Sequence, residues 1–62
     1  MNRISARAVV ETEAIGADVT IAEFAVVRSD VTIGNRVVIH PHVVIESGVR
    51  VGDNVEIFPG AY

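Results

Sequence analysis

The sequence predicts an all-β solenoid in which very short parallel strands wind into about three stacked coils. Three observations carry that reading: a β-branched apolar composition, a six-residue period, and a second repeat at eighteen residues that brings like residues to like corners. The chain has 62 residues, half of them apolar, and its branched aliphatics are thirteen Val and seven Ile with no Leu. β-Branched side chains suit a pleated surface and lower the prospect of long helices.

The period is regular. Stepping by six from Ile15 gives Ile15, Ile21, Val27, Ile33, Ile39, Ile45, Val51 and Ile57. Eight Ile or Val in succession at one spacing has a chance probability of about one in ten thousand, which makes periodicity the primary signal. Four residues after each of these stand Val19, Ala25, Val31, Val37, Val43, Val49, Val55 and Ala61. A hexad with inward first and fifth residues describes a short strand followed by a corner, and three such sides close a coil of eighteen residues. One coil cannot bury its own aliphatic faces. Stacking at the strand spacing of about 4.8 Å builds continuous Ile and Val ladders instead. An antiparallel sandwich would show period-two alternation and Asn-Gly or Asp-Gly hairpins, and neither pattern is present.

The corners divide into three kinds. One carries Gly16-Ala17-Asp18, Gly34-Asn35-Arg36 and Gly52-Asp53-Asn54, residues expected to accept the left-handed backbone of a sharp corner. A second carries Arg28-Ser29-Asp30 and Glu46-Ser47-Gly48, expected to be solvated, with Arg28 and Asp30 as a weak surface ion pair. The third collects both Phe, both Pro and both His: Ala22-Glu23-Phe24, His40-Pro41-His42 and Phe58-Pro59-Gly60. Outward aromatics need a cover, so Phe24, His40, Pro41, His42, Phe58 and Pro59 form a candidate edge facing a partner or a ligand. Residues 1–62 read as one partial solenoid domain, regular over 15–62 and irregular over 1–14, because the step from Val10 to Ile15 is five residues.

Composition removes several function classes. The net charge is −3 and the five Arg are scattered, so no basic footprint for nucleic acid exists. There is no Cys, hence no disulfide framework and no thiolate metal site. No signal peptide and no apolar run near the roughly 20 residues of a membrane span are found, which makes cytoplasmic residence the expectation. The glycines do not form a phosphate loop, since no Gly-Lys-Ser/Thr follows. Glu11 and Glu13 fall in the irregular coil and are expected in solvent.

Ile15-Gly16-Ala17-Asp18-Val19-Thr20-Ile21 and Val51-Gly52-Asp53-Asn54-Val55-Glu56-Ile57 resemble the [Ile/Val]-Gly-x4 signature of the hexapeptide-repeat acyltransferase superfamily. The opening Ile4-Ser5-Ala6-Arg7-Ala8-Val9-Val10 is similar to the family's first strand, with Ser5 and Ala6 where the family has His-Pro. The resemblance implies a single-stranded parallel left-handed β-helix; the hand comes from the resemblance alone, since most parallel crossovers are right-handed. It further implies the N-terminal portion of a transferase of the lipid A or sugar-nucleotide type, working as a homotrimer with active sites between subunits. Such an enzyme moves an acyl or acetyl group from an acyl-carrier-protein or coenzyme A thioester onto an amino or hydroxy group of a sugar nucleotide, with no bound cofactor and no metal. A His acts there as general base, which makes His40 and His42 the catalytic candidates. Corner packing against Phe24 and Phe58 is the competing role for both. The chain ends at Pro59-Gly60-Ala61-Tyr62 in mid-coil, so further hexads are expected to follow, and this stretch by itself is expected to show no turnover. Two alternatives stay open. Val26-Val27-Arg28-Ser29-Asp30 resembles a segment of the γ-class carbonic anhydrases, which bind zinc through three His. A non-catalytic trimerising module is the other.

Overall fold

A computed structural model describes residues 1–59. Nine two-residue strands follow one another: β1 Arg3–Ile4, β2 Val9–Val10, β3 Thr20–Ile21, β4 Val26–Val27, β5 Thr32–Ile33, β6 Val38–Ile39, β7 Val44–Ile45, β8 Arg50–Val51 and β9 Glu56–Ile57. They form three parallel sheets in the orders β1-β3-β6-β9, β2-β4-β7 and β5-β8. These are the three walls of a parallel β-helix of about three turns. Register is fixed at eighteen residues: Ile21 pairs with Ile39 and Ile39 with Ile57, Val27 with Ile45, and Ile33 with Val51. A slip by one would turn every inward side chain to solvent. Backbone hydrogen bonds run along the axis, as from Thr20 N to Val37 O at 2.8 Å and Val38 N to Val55 O at 2.9 Å.

The core is the predicted one. Val19, Ile21, Ala25, Val27, Val31, Ile33, Val37, Ile39, Val43, Ile45 and Val51 are buried, and no polar or charged residue is buried among the described residues. Val49 departs from the expectation. It belongs to an inward ladder yet is 41% exposed, because no described hexad stacks over it. Ala61 and the Gly60 corner lie outside the described residues.

The corners correct a second expectation. Positive φ recurs at every sixth residue: Asp18 (58°), Phe24 (64°), Asp30 (59°), Arg36 (56°), His42 (65°), Gly48 (90°) and Asn54 (58°). Gly16, Gly34 and Gly52 are therefore not the left-handed residues of their corner. Space explains two of them. A methyl on Gly34 would press on the Asp53 carboxylate and lie 2.8 Å from Gly52 C and 2.9 Å from Asp53 N. A methyl on Gly16 would lie 2.6 Å from Gly34 O, whereas at Gly52 nothing stands within 4 Å. The close approach is held by a side-chain ladder: Ala17 N donates to Asn35 Oδ1 at 2.8 Å, and Asn35 N to Asp53 Oδ1 at 2.7 Å. At the second corner Arg28 and Asp30 are exposed. They do not pair, since the ion pairs among the described residues are Met1–Asp18 and His40–Glu56.

The short first coil closes without disturbing the others. Ile4 pairs with Ile21 and Val10 with Val27, seventeen apart, while Ile15 already bridges Ile33 at eighteen. The missing residue is absorbed between them by Thr12, whose hydroxyl donates to Val31 O at 2.6 Å and accepts from Ala14 N, and by a tight turn from Ile15 N to Glu13 O. Glu11 and Glu13 are exposed as expected, and Glu11 Oε1 accepts from Ser29 N at 3.2 Å. Among the described residues no helix is long and apolar enough to cross a membrane.

Three outcomes are expected. Gly34→Ala lowers stability by about 1–3 kcal/mol through backbone overpacking, while Gly52→Ala stays within about 0.5 kcal/mol, as read from urea midpoints. Ile39→Ala removes a fully buried side chain and costs about 2–5 kcal/mol. A chain of this length holds only about 3–9 kcal/mol in all, so the β signal in circular dichroism should be largely lost at 37 °C. The Met1 ammonium donates to Asp18 Oδ1 at 2.6 Å. That bond, then the ammonium's charge, with a smaller contribution from Arg36, holds the Asp18 carboxyl below its ordinary 3.8. A depressed carboxylate stabilises the fold above its unfolded pKa, and the contribution disappears as pH falls through the folded value. An NMR titration of Asp18 checks this, and acetylating the amino terminus should raise its midpoint toward the ordinary carboxyl value.

Candidate functional site

The third corner lies between the β1-β3-β6-β9 and β2-β4-β7 walls. Its turn is built from residues i to i+3 at Ala22–Ala25 and His40–Val43, with the left-handed residue third, and Glu46–Val49 repeats the same turn at the second corner. Ala25 N returns to Ala22 O and Val49 N to Glu46 O, each at 3.4 Å. A positive φ at that place is the type II pattern, for which Pro is favoured one residue earlier. Pro41 occupies that earlier place, so the turn itself accounts for it, while the residues that follow Pro59 lie outside the described ones.

The four rings stack in two rows. Phe24 and His42 lie with centroids 5.3 Å apart and planes 16° off parallel; His40 and Phe58 lie 4.6 Å apart at 15°. The rows run in opposite directions along the axis: His42 rests on the coil before it and His40 under the coil after it. Each histidine thus stacks on a phenylalanine one coil away. Phe24 is 51% and Phe58 56% exposed, so the rings shield each other on one side and face solvent on the other.

His40 has a second partner that the sequence reading missed. Its Nε2 lies 2.7 Å from Glu56 Oε2, with side-chain exposures of 31% and 52%. A carboxylate has no proton to give, so Nε2 carries the hydrogen and donates, and the neutral ring keeps its lone pair on Nδ1. Glu56 was findable. Residues eighteen apart share a corner, so Phe58 sits on His40, and the outward residue two before Phe58 flanks the same ring.

One coil below His40 the ladder carries Ala22, since Ile21 pairs with Ile39. The small side chain leaves a shallow, open depression of about 340 Å³ on the outer face of β1 and β3, with Arg3, Ser5, Thr20 and Glu23 among its lining residues. His42 does not join His40 in any common site, and among the described residues no three His, Cys, Asp or Glu converge as a metal cluster would require.

Two overlapping matches to the family described as bacterial transferase hexapeptide (six repeats) cover residues 14–47 and 30–62. No curated protein and no solved structure matched the chain. The matched span begins where the six-residue register begins and includes the ring-lined corner of every regular coil. By its repeat, its parallel three-walled coil and this match over most of its length, the chain belongs to the bacterial transferase hexapeptide family.

Proposed function

We propose that the chain serves an acyltransferase that moves an acyl or acetyl group from a thioester, carried by coenzyme A or an acyl-carrier protein, onto an amino or hydroxy group of a sugar nucleotide. Membership of a transferase family supports the reaction class, and the His40–Glu56 pair is the single observation that supports a place for it. In this reading His40 is the general base. The acceptor nitrogen or oxygen attacks the thioester carbonyl, His40 Nδ1 takes the proton the acceptor loses, and the departing thiolate recovers it. Glu56 positions the ring. The thioester needs no metal activation. The enzyme works as a homotrimer, because a convex corner must be walled by a second surface before it can exclude water from the reacting atoms.

A second reading, a non-catalytic trimerising module, draws on the same residues, since both histidines are stacked corner rings. Release of free thiol from acetyl-coenzyme A or an acyl-carrier-protein thioester, dependent on added sugar nucleotide, separates the two. The transferase reading expects His40→Gln to lower that rate by about 100-fold or more, with His42→Gln within about threefold. A rate unmoved by His40→Gln places the base elsewhere, and acceptor-dependent release absent from the associated protein leaves the structural module.

A further inference from the structure

The depression one coil below His40 owes its floor to one small residue. Ile4 pairs with Ile21 and Ile21 with Ile39, so Ser5, Ala22 and His40 follow one another up the same edge, one per coil. Higher on this edge the stacked rings of His40 and Phe58 fill the space. Ala22 leaves it open. The volume there is about 340 Å³, near the lower end of the about 300–1,000 Å³ of ligand sites. That is room for one sugar ring with a phosphate, and not for a nucleoside as well.

Charge is divided across the depression. Arg3 projects from β1 on one side of the Ser5–Ala22 edge, and Glu23 follows Ala22 on the other; both are lining residues. Neither belongs to an ion pair among the described residues, which are Met1–Asp18 and His40–Glu56. Ser5 Oγ accepts from Arg7 N at 3.1 Å, which leaves its hydroxyl hydrogen to donate outward. Thr20 sets a second hydroxyl in register with Arg3. A planar guanidinium grips phosphate oxygens with two parallel bonds, and the hydroxyls add donors to the same group. A carboxylate repels phosphate and accepts from hydroxyl or amino groups instead. The two ends of a ligand are thereby told apart.

We propose that this depression is the acceptor subsite: Arg3, with Ser5 and Thr20, holds the phosphate attached to the sugar, Glu23 accepts from the sugar's hydroxyl groups, and the ring lies over Ala22. Bound this way, the far side of the sugar is turned up the edge toward His40. From the coil of Arg3 to that of His40 is two strand spacings, roughly 10 Å, a gap that an arginine side chain, a phosphate and one sugar ring bridge together. The nucleoside continues past Arg3 through the open side. Arg3 and Glu23 determine specificity, and neither takes the transferred proton. The inference rests on the acyltransferase reading for calling the ligand an acceptor, not for the division of charge.

NMR titrations of the full chain with glucose 1-phosphate, glucose and coenzyme A test it without requiring turnover. Glucose 1-phosphate is expected to move the Arg3, Ser5, Thr20, Ala22 and Glu23 amides saturably, and glucose at the same concentration to leave them in place. Arg3→Gln should weaken that binding by about tenfold or more. Ala22→Leu, which fills the floor, should do the same, while Arg50→Gln on the β5-β8 wall leaves it within about twofold. Circular dichroism checks the β signal of each variant, and because one acts through charge and the other through volume, loss of fold in either leaves the other to decide. Amides unmoved by glucose 1-phosphate, equal weakening by Arg50→Gln, or amides moved by coenzyme A and not by the sugar phosphate overturns the proposal. Saturable binding that depends on Arg3, without acyl transfer from acetyl-coenzyme A, keeps the subsite for a sugar phosphate and sinks the transferase reading. Acceptor-dependent thiol release whose KM for the acceptor is unmoved by Arg3→Gln keeps that reading and sinks the subsite.

Discussion

Parallel stacking at a fixed eighteen-residue register is the constraint on which everything else depends. A two-residue strand is far too short to persist alone, and each coil leaves its apolar face and its backbone groups open along the axis. Only the next coil supplies both partners. Once Thr20 N meets Val37 O and Val38 N meets Val55 O, every side chain meets the residue one coil away. Inward ladders of Ile and Val, the Asn35–Asp53 ladder and the stacked rings are all consequences of that one translation. The first coil supports the point by exception. Its seventeen-residue pairing at Ile4 and Val10 is restored to eighteen by Ile15, since an uncorrected slip would have been inherited by every coil above.

Tight corners are the second demand, and they carry a conformational penalty. Each needs one residue with positive φ, of order 1–2 kcal/mol unfavourable for an ordinary side chain and mild for Gly, Asn or Asp. Asp18, Asp30, Gly48 and Asn54 meet it easily. Arg36 offsets it with a bond from its Nε to Asn54 Oδ1 at 2.8 Å. Phe24 and His42 are the costly choices, since a bulky ring in this region is uncommon. They stack on each other, which returns part of the penalty but does not explain why rings stand there in place of Asp or Asn. Strain kept at a site marks it for a role beyond holding the turn. Both residues border the β2-β4-β7 wall, whose outward residues are Val9, Val26 and Val44.

Much of this was legible in the residues, and the failures have physical reasons. Every buried residue was read from the period, because inward places alternate with corners so rigidly that composition alone reveals them. Val49 was misplaced because burial depends on the coil above as well as on the period. The glycines of the first corner were recognised as necessary for the wrong reason: φ is set two residues later, at Asp18, Arg36 and Asn54, and the demand at Gly16 and Gly34 is for room between coils, which a linear sequence does not display. Glu56 was overlooked as an ordinary outward strand residue, although coil arithmetic would have brought it beside His40. The outward valines were counted only as strand formers. A six-residue period carries no information about the hand of the coil, which enters through the family alone.

The shape of the candidate site and the character of its neighbouring wall point the same way. His40 and Glu56 lie 2.7 Å apart on a convex edge where water reaches both. In bulk-like surroundings the charge that develops on an acceptor and on the ring is screened, and a base so placed gains little over solvent. A lone solenoid cannot make itself concave, because its walls are flat and its corners project. Concavity has to come from a second body laid against the corner. The wall that meets this corner on its far side is the one whose outward residues are all valine. That wall has no evident use for the isolated coil, since Thr, Glu and Arg serve equally well on the other two. The same corner thus separates a solvated polar pair from an apolar strip.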